Sequence, residues 1–207
     1  MSLRIVLATR NRGKIREIRA ILARLDVELL DSLDFPPFAE PAEDGDTFLE
    51  NALQKAKAVH RATGCLSLAD DSGLEVDALG GAPGVRSARY GGPGLTDDGR
   101  CAKLLEELAG VRDEERGARF RCAAVLYPAP GAARKGLAAE GLLYGRIARS
   151  PRGKNGFGYD PVFVVPESGM TLAEMDPGEK NSMSHRYRAF IEMKHMLMRD
   201  CGVAATR

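Results

Sequence analysis

The sequence has no tryptophan, few cysteines and no excess of either charge. Its 30 basic and 29 acidic residues give a net charge of +1 over 207 residues, so the chain offers no general field for a polyanion such as DNA or for an anionic membrane. The four cysteines are far apart and form no C-x-x-C pair, so neither a zinc site nor a disulfide framework is indicated. They are Cys65, Cys101, Cys122 and Cys201. We expect reduced thiols, no nucleic-acid partner and no membrane partner.

Long hydrophobic runs and low-complexity spacers are also absent. No segment approaches the length of a transmembrane helix, and the apolar run at residues 5–8 is too short for a signal peptide. We therefore expect a cytoplasmic protein. A chain of 207 residues can bury a substantial core, and we expect residues 1–207 to form one domain of two closely joined lobes around one cleft.

Strand and helix patterns alternate along the chain. Residues 5–8 predict a strand covered on both faces, and the apolar stripe that follows through residue 25 predicts a helix. Thr47 and Glu50 form a capping box, which predicts a second helix to about His60. Further strands are predicted at 66–69, 120–126, 137–143 and 161–165, with further helices from residue 97 and after Ser184. This order predicts an α/β fold with a mixed β-sheet flanked by helices.

Two adjacent carboxylates, Asp70 and Asp71, follow the apolar run at 66–69. We expect the strand to end there, because open α/β sheets hold ligands at strand ends, and carboxylates suit hard cations such as Mg²⁺. Neighbouring strand residues point to opposite faces, so we assign Asp71 inward and give Asp70 a supporting or structural role. Glu43 could pair with Asp71 around a cation, although a solvated acidic loop would explain the same residues.

The segment Thr9–Lys14 joins the first strand to the first helix. It places free backbone N–H groups and the positive end of a helix dipole where a phosphate could rest, and Lys14 adds a cation. The spacing is neither that of a Walker A loop nor G-x-G-x-x-G, and an ordinary polar connection would look the same. Lys55, in the second helix, could face a cleft or simply meet water.

Two later segments could hold a flat ligand. Gly156–Asp160 joins glycines to aromatics, which allows a close backbone approach and a stacking ring, although a tight turn with core aromatics explains the same residues. His185 and Arg186 can donate hydrogen bonds to an acceptor such as the carbonyl oxygen of a 6-oxopurine. These donors would favour that base over adenine.

Several of these segments together resemble the inosine triphosphate pyrophosphatase family, from about residue 4 to residue 198. The segments that carry the resemblance are Thr9–Lys14, Phe48–Ala52, Ala69–Leu74, Gly80–Gly84, Ser87–Tyr90, Phe157–Asp160 and Ser184–Arg186. The resemblance implies an elongated inosine triphosphatase-like fold of two lobes with a central cleft, acting as a homodimer. It also implies a Mg²⁺-dependent enzyme that hydrolyses ITP, dITP and XTP to the monophosphate and pyrophosphate, keeping these purine nucleotides out of DNA and RNA.

The resemblance also implies roles for individual residues. Asp71 corresponds to the general base and, with Glu43, to the metal ligands. The implied substrate contacts are Thr9, Arg10, Asn11, Arg12, Gly13, Lys14, Lys55, Ser72, Phe157, Gly158, Tyr159, Asp160, Lys180, His185 and Arg186. Among these, Lys55 and Lys180 correspond to lysines that bind the triphosphate. Many family members have glycine at the position of Arg10. If that position requires a positive φ or a close backbone approach, Arg10 changes the geometry of the loop; if it does not, the Arg10 side chain points to solvent.

Two other functions fit parts of the sequence. A Maf-like nucleotide pyrophosphatase would have a similar fold and a different base preference, but the Ser184–Arg186 motif speaks against it. A regulatory module could bind a nucleotide without turnover, but such a module has no need for the acid pair Glu43 and Asp71.

Overall fold

The computed structural model describes residues 3–38, 43–127 and 136–206, and it confirms the α/β class. The strands are β1 (Leu3–Leu7), β2 (Val27–Asp31), β3 (Leu66–Val76), β4 (Gly117–Tyr127), β5 (Leu137–Ile147) and β6 (Phe163–Val164). The helices are α1 (Arg12–Leu22), α2 (Phe48–Thr63), α3 (Asp97–Glu107), α4 (Pro177–Met183) and α5 (His185–Cys201). The strands form one sheet in the order β2-β1-β3-β4-β5-β6. The sheet is mixed, since β1 runs parallel to β2 and β3 whereas β5 and β6 are antiparallel.

The chain divides into two compact units. The first comprises Met1–Asp71, Cys122–Gly141 and His185–Arg207, and the second comprises Ser72–Arg121 and Leu142–Ser184. By these boundaries, β3, β4 and β5 each contribute residues to both units.

The first unit has a core on each face of its strands. On one face Ile5 and Leu7 of β1 and Leu68 of β3 pack in a cluster with the apolar stripes of α1 and α5. On the other face Val6 and Ala69 pack in a cluster with residues of α2. The alternation of side chains along a strand produces this division. It also determines which helices the residues that follow Ala69 can reach.

The second unit has a single described core. Leu74 and Val76 of β3 pack in it with Leu104 of α3 and with aromatic residues of β4 and β6. The rings of Phe120 and Phe163 lie 4.7 Å apart, centroid to centroid. Burial of this cluster holds the long loops of the unit against its strands.

Several element boundaries differ from the sequence predictions. The capping box at Thr47 and Glu50 is confirmed, but β3 does not end at residue 69. It continues through the two aspartates to Val76, so the predicted loop at that point is wrong. The strand predicted at 161–165 contains only Phe163–Val164, because Asp160–Val162 form a 3-10 turn. Neither β2 nor α4 was predicted.

The described residues contain neither a membrane-spanning helix nor a disulfide bond. None of the helices within residues 3–38, 43–127 and 136–206 combines the length and the apolar character needed to cross a membrane. The four cysteines are free thiols in the structure, which agrees with the expectation from their spacing.

Candidate active site

The carboxylates of Asp70 and Asp71 point to opposite faces of β3. Asp70 lies on the same face of β3 as Leu68 and contacts residues of α1 and α5. Asp71 lies on the same face as Ala69 and contacts residues of α2. Both residues are nearly inaccessible to solvent, at 0% and 6% exposed. The two aspartates therefore belong to separate polar clusters, as the alternation of a strand requires.

Asp71 lies in a cluster with Asn51 and Lys55 of α2 and with Glu43 of the acidic loop before that helix. Lys55 Nζ lies 2.8 Å from Asp71 Oδ1 and 3.1 Å from Glu43 Oε1. Asn51 donates from Nδ2 to Asp71 Oδ2 at 3.2 Å. The same asparagine accepts a bond from the backbone N–H of Gly45, which fixes the loop against the helix. The structure thus brings Glu43 and Asp71 to one lysine ammonium, and their predicted pairing around a metal cation stays a prediction.

The charges of this cluster are strongly coupled. Burial raises the pKa of Asp71, and the attraction of Lys55 and Lys14 offsets only part of that effect. Burial alone would lower the pKa of Lys55, but the charges of Asp71, Asp70 and Glu43 outweigh it and raise that pKa. Lys55 therefore stays charged at neutral pH. Asp71 holds a proton more readily than an ordinary aspartate, which is the direction that a general base requires.

The donor set fits a hard divalent cation. Glu43 and Asp71 both offer carboxylate oxygens to the same positive group, and Mg²⁺ prefers oxygen ligands. Across the described ranges, three or more His, Cys, Asp or Glu side chains do not come together as a metal-binding group. Two carboxylates are nonetheless enough for Mg²⁺, which usually takes its remaining ligands from water and substrate phosphates.

Asp70 lies in a second, deeper cluster. Its Oδ2 atom contacts Lys14 Nζ at 2.9 Å and Arg186 Nε at 3.3 Å. Arg186 also donates from Nη1 to Glu17 of α1, and its side chain is 2% exposed. These bonds tie α1, β3 and the first turn of α5 together. The contacts with Asp70 and Glu17 use two N–H donors of Arg186. The predicted contact of Arg186 with a base stays a prediction.

The loop from Thr9 to Lys14 differs from its prediction in one respect. Asn11 caps α1, and its Oδ1 accepts from the N–H groups of Gly13 and Lys14 at 2.8 and 3.1 Å. The N–H of Asn11 donates to Thr9 Oγ1. Three of the backbone N–H groups predicted to be free are therefore bonded to side chains of the loop itself. The helix dipole and the Lys14 ammonium remain as the attractive features for a phosphate.

Arg10 and Arg12 cause no distortion of this loop. Every described residue with a positive φ is a glycine, so Arg10 adopts an ordinary conformation where many family members have glycine. Its Nη2 donates to the carbonyl of Phe38 at 3.3 Å. The side chain of Arg10 thus links the loop to the segment after β2, and Arg12 begins α1.

In the second unit, three of the predicted substrate residues form one cluster. Asp160 Oδ2 accepts from the backbone N–H of Phe157 at 2.8 Å and from Lys180 Nζ at 2.6 Å. The Lys180 ammonium also lies over the Phe157 ring, 4.8 Å from its centroid. The structure therefore places Lys180, predicted to bind the triphosphate, beside residues predicted for the base. Its contact with the triphosphate stays a prediction.

Other members of this segment have structural partners. The hydroxyl of Tyr159 donates to the carbonyl of Ser87 at 2.9 Å, and its ring belongs to the core of the second unit. Gly158 N–H donates to Asp97 Oδ2 at 2.8 Å. For Tyr159 the alternative of a core aromatic in a tight turn is therefore the better description. Ser72 is half-buried in β3, and His185 is buried at the start of α5.

Sequence reasoning gave no role to Asn51 or Glu17. Asn51 is fully buried and contacts Asp71, while Glu17 contacts Arg186. A signal for Asn51 was present: it lies four residues before Lys55, among the apolar residues of one helix face. A polar pair on a buried face requires a polar partner.

The fold and the site together define an α/β protein with buried carboxylate–lysine pairs beside a strand-to-helix loop. The sequence pattern described as the Ham1 family matches residues 5–196, and the chain belongs to that family. A dITP/XTP pyrophosphatase of Geobacter sulfurreducens is 54% identical over 194 residues, which cover 94% of this chain and 96% of the relative. A dITP/XTP pyrophosphatase of Thermus thermophilus is 53% identical, over 90% of this chain and 88% of the relative. The solved structure of a HAM1 protein from Coxiella burnetii superposes with a TM-score of 0.86 at 43% identity, over 95% of this chain and 99% of that chain.

Proposed function

We propose that this chain is a Mg²⁺-dependent nucleoside triphosphate pyrophosphohydrolase that converts ITP, dITP and XTP to the monophosphate and pyrophosphate. Membership of the Ham1 family and the names of its relatives support the reaction. The observation that carries the proposal is the position of Asp71, buried and held between Lys55 and Asn51. A carboxylate in that position can act on a water molecule next to a charged substrate.

Asp71 would orient the attacking water and accept its proton. Asn51 donates to Oδ2, which restricts the rotation of the carboxylate. Because burial raises the pKa of Asp71, the carboxylate accepts a proton more readily than an exposed aspartate would. Orientation and basicity both favour general base catalysis.

The lysines of the first unit would change partners when substrate binds. Lys14 contacts Asp70 and Lys55 contacts Asp71 and Glu43. A bound triphosphate brings about four negative charges, which compete with these carboxylates for the ammonium groups. Lys55 would then contact phosphate oxygens while Glu43 and Asp71 hold Mg²⁺. Bound there, Mg²⁺ would supply charge neutralisation of the phosphates and polarisation of the scissile bond.

As the family resemblance implies, His185 and Arg186 would donate hydrogen bonds to the base. Phe157 offers a ring for stacking, and Lys180 stays positioned by Asp160. Hydrogen-bond donors select a 6-oxopurine because the amino group of adenine would present hydrogens to them. We further propose that the protein acts in the cytoplasm as a homodimer, as the family resemblance implies.

Pyrophosphate release from a panel of nucleotides tests the proposal. Purified protein is incubated with ITP, XTP, GTP, ATP or dTTP, each with Mg²⁺ and again with excess chelator. We expect rapid release from ITP and XTP, only in the presence of Mg²⁺. Strong activity on dTTP would support the Maf-like alternative, and binding without release would support a regulatory module.

A further inference from the structure

A cavity in the second unit, away from the candidate active site, has three arginines in its lining. Its volume is about 250 Å³, and its walls come from the end of β5, the loop that follows, β6 and the turn before β4. The lining residues are Asp113, Arg146, Ile147, Ala148, Arg149, Ser150, Arg152 and Val164. Three of its eight lining residues are thus arginines, against a single carboxylate.

Two of the three lining arginines, Arg149 and Arg152, bond to neighbouring groups. Arg149 Nε donates to Asp113 Oδ1 at 2.8 Å, and its Nη2 donates to the carbonyl of Val111. Arg152 Nη2 donates to the carbonyl of Gly169 at 3.0 Å and lies 3.5 Å from Glu174. A guanidinium carries five N–H donors, so both side chains keep donors for another acceptor. These contacts restrict two exposed side chains, which lowers the entropy cost of binding.

A fourth arginine lies directly behind the cavity wall. Arg116 is 2% exposed, and its guanidinium donates to the carbonyls of Ile147, Ala148 and Leu108 at 2.7–2.9 Å. All of its partners in the described part of the chain are neutral carbonyl oxygens. Buried charges are normally paired with an opposite charge. Arg116 therefore adds a fixed positive charge to the wall formed by Ile147 and Ala148.

The balance of charge around the cavity is positive. Four guanidinium groups face two carboxylates, those of Asp113 and Glu174. The next two acids of the turn, Glu114 and Glu115, pair instead with Arg112. Burial and the charge of Arg149 lower the pKa of Arg116, and the charge of Asp113 offsets part of that effect. A bound anion would offset the repulsion between like charges.

We propose that this cavity binds a small phosphate anion, with inorganic pyrophosphate as the best match because it carries more charge and more acceptor oxygens than orthophosphate or sulfate. Arginine forks suit phosphate oxygens because they donate two parallel hydrogen bonds. The volume lies below the roughly 300–1,000 Å³ of a pocket for a drug-sized ligand, so the site takes an anion rather than a whole nucleotide. The inference does not depend on the proposed hydrolysis, since none of these residues belongs to the candidate active site.

Amide NMR of the ¹⁵N-labelled full chain tests this inference without any measurement of turnover. Inorganic pyrophosphate, orthophosphate and sulfate are titrated separately, at low salt and without metal, and the amide signals of Ala148 and Ser150 report on the cavity. We expect saturable shifts of these signals, with the tightest binding for pyrophosphate. R146Q/R149Q should weaken that binding at least about tenfold, and R146Q alone, at an exposed position, should weaken it less.

The control variant is R86Q, which removes an exposed arginine of the same unit outside the cavity. It should bind pyrophosphate as the unaltered protein does. Unshifted Ala148 and Ser150 signals, equal binding by R146Q/R149Q, or equal affinity for sulfate and pyrophosphate would overturn the inference. The hydrolysis of ITP should be the same in all variants, so a failure of the proposed function would be seen separately.

Discussion

Asp70 and Asp71 are consecutive residues of one strand, but their carboxylates contact different lysines on different helices. Asp70 contacts Lys14 of α1 at 2.9 Å, and Asp71 contacts Lys55 of α2 at 2.8 Å. The two residues should therefore differ in what their replacement does. Asp70 supports the structure through Arg186, whereas Asp71 can serve a reaction.

Replacing Asp71 by asparagine tests this division. Asp71→Asn keeps the shape of the side chain but removes the proposed base and a proposed metal ligand, so ITP turnover should fall by about 10² or more with little change in unfolding temperature. The matched variant Asp70→Asn leaves Arg186 with one fewer carboxylate in a buried site and should lower the unfolding temperature clearly. ITP turnover near the original value in Asp71→Asn would contradict the assigned role.

The pKa of Asp71 depends on Lys55. The ammonium of Lys55 lowers this pKa against the larger effect of burial, so Lys55→Met should raise it further. The carboxyl ¹³C signal of Asp71, followed over pH in metal-free protein, measures the change. Lys57→Met is the control, because Lys57 lies two residues further along α2 and over the ring of Tyr127. A lower or unchanged Asp71 pKa in Lys55→Met would show that the two groups are not coupled.

Much of the first unit could be predicted from sequence because local patterns determine it. The capping box and apolar stripe of α2 fix which face is buried, and strand alternation separates Asp70 from Asp71. The length of β3 could not be predicted, since aspartate and glycine disfavour strands. Lysines and an asparagine from other elements satisfy those aspartates, and such contacts are not visible in the local sequence.

The same limit applies to the two ligand segments. The Asn11 side chain caps α1 and occupies N–H groups that the sequence left open for a phosphate. Lys180 lies beside Asp160 and Phe157 because α4, an unpredicted helix of seven residues, carries it there. In both segments the residue types were predicted and their hydrogen-bond partners were not.

Asp97 links the start of α3 to the segment around Gly158 and should make stability depend on pH. Burial alone would raise the pKa of Asp97, but the bonds from Gly158 N–H and Arg100 outweigh it and lower that pKa below 3.8. A carboxylate with a lowered pKa stabilises the fold above its ordinary pKa and loses that effect as the pH falls through the folded value. Asp97→Asn should therefore be less stable at pH 7, by at most about 1 kcal/mol because the group is partly exposed.

Urea unfolding at pH 7 and at about pH 3 measures this difference. The two proteins should approach equal stability at the lower pH. Asp98→Asn, at the adjacent exposed position, serves as the control. If the difference in unfolding free energy between Asp97→Asn and the original protein grew as the pH falls, that result would contradict the assigned cause.

Gly141 marks a close approach of β5 to the first turn of α5. A Cβ atom there would lie 2.1 Å from the carbonyl oxygen of His185 and 2.5 Å from the N–H nitrogen of Ala189. Gly141→Ala should therefore displace α5 and cost about 1–3 kcal/mol of unfolding free energy or more. Gly110→Ala, where a Cβ meets nothing within 4 Å, is the control in the same denaturation experiment. Equal stability of the two variants would show that α5 adjusts freely.

The most direct test of the proposed reaction identifies its products. A ³¹P NMR spectrum of ITP incubated with the protein and Mg²⁺ distinguishes cleavage next to the sugar from removal of the terminal phosphate. We predict IMP and pyrophosphate in equal amounts, with no IDP at any time. The appearance of IDP and orthophosphate, or unchanged ITP, would contradict the account.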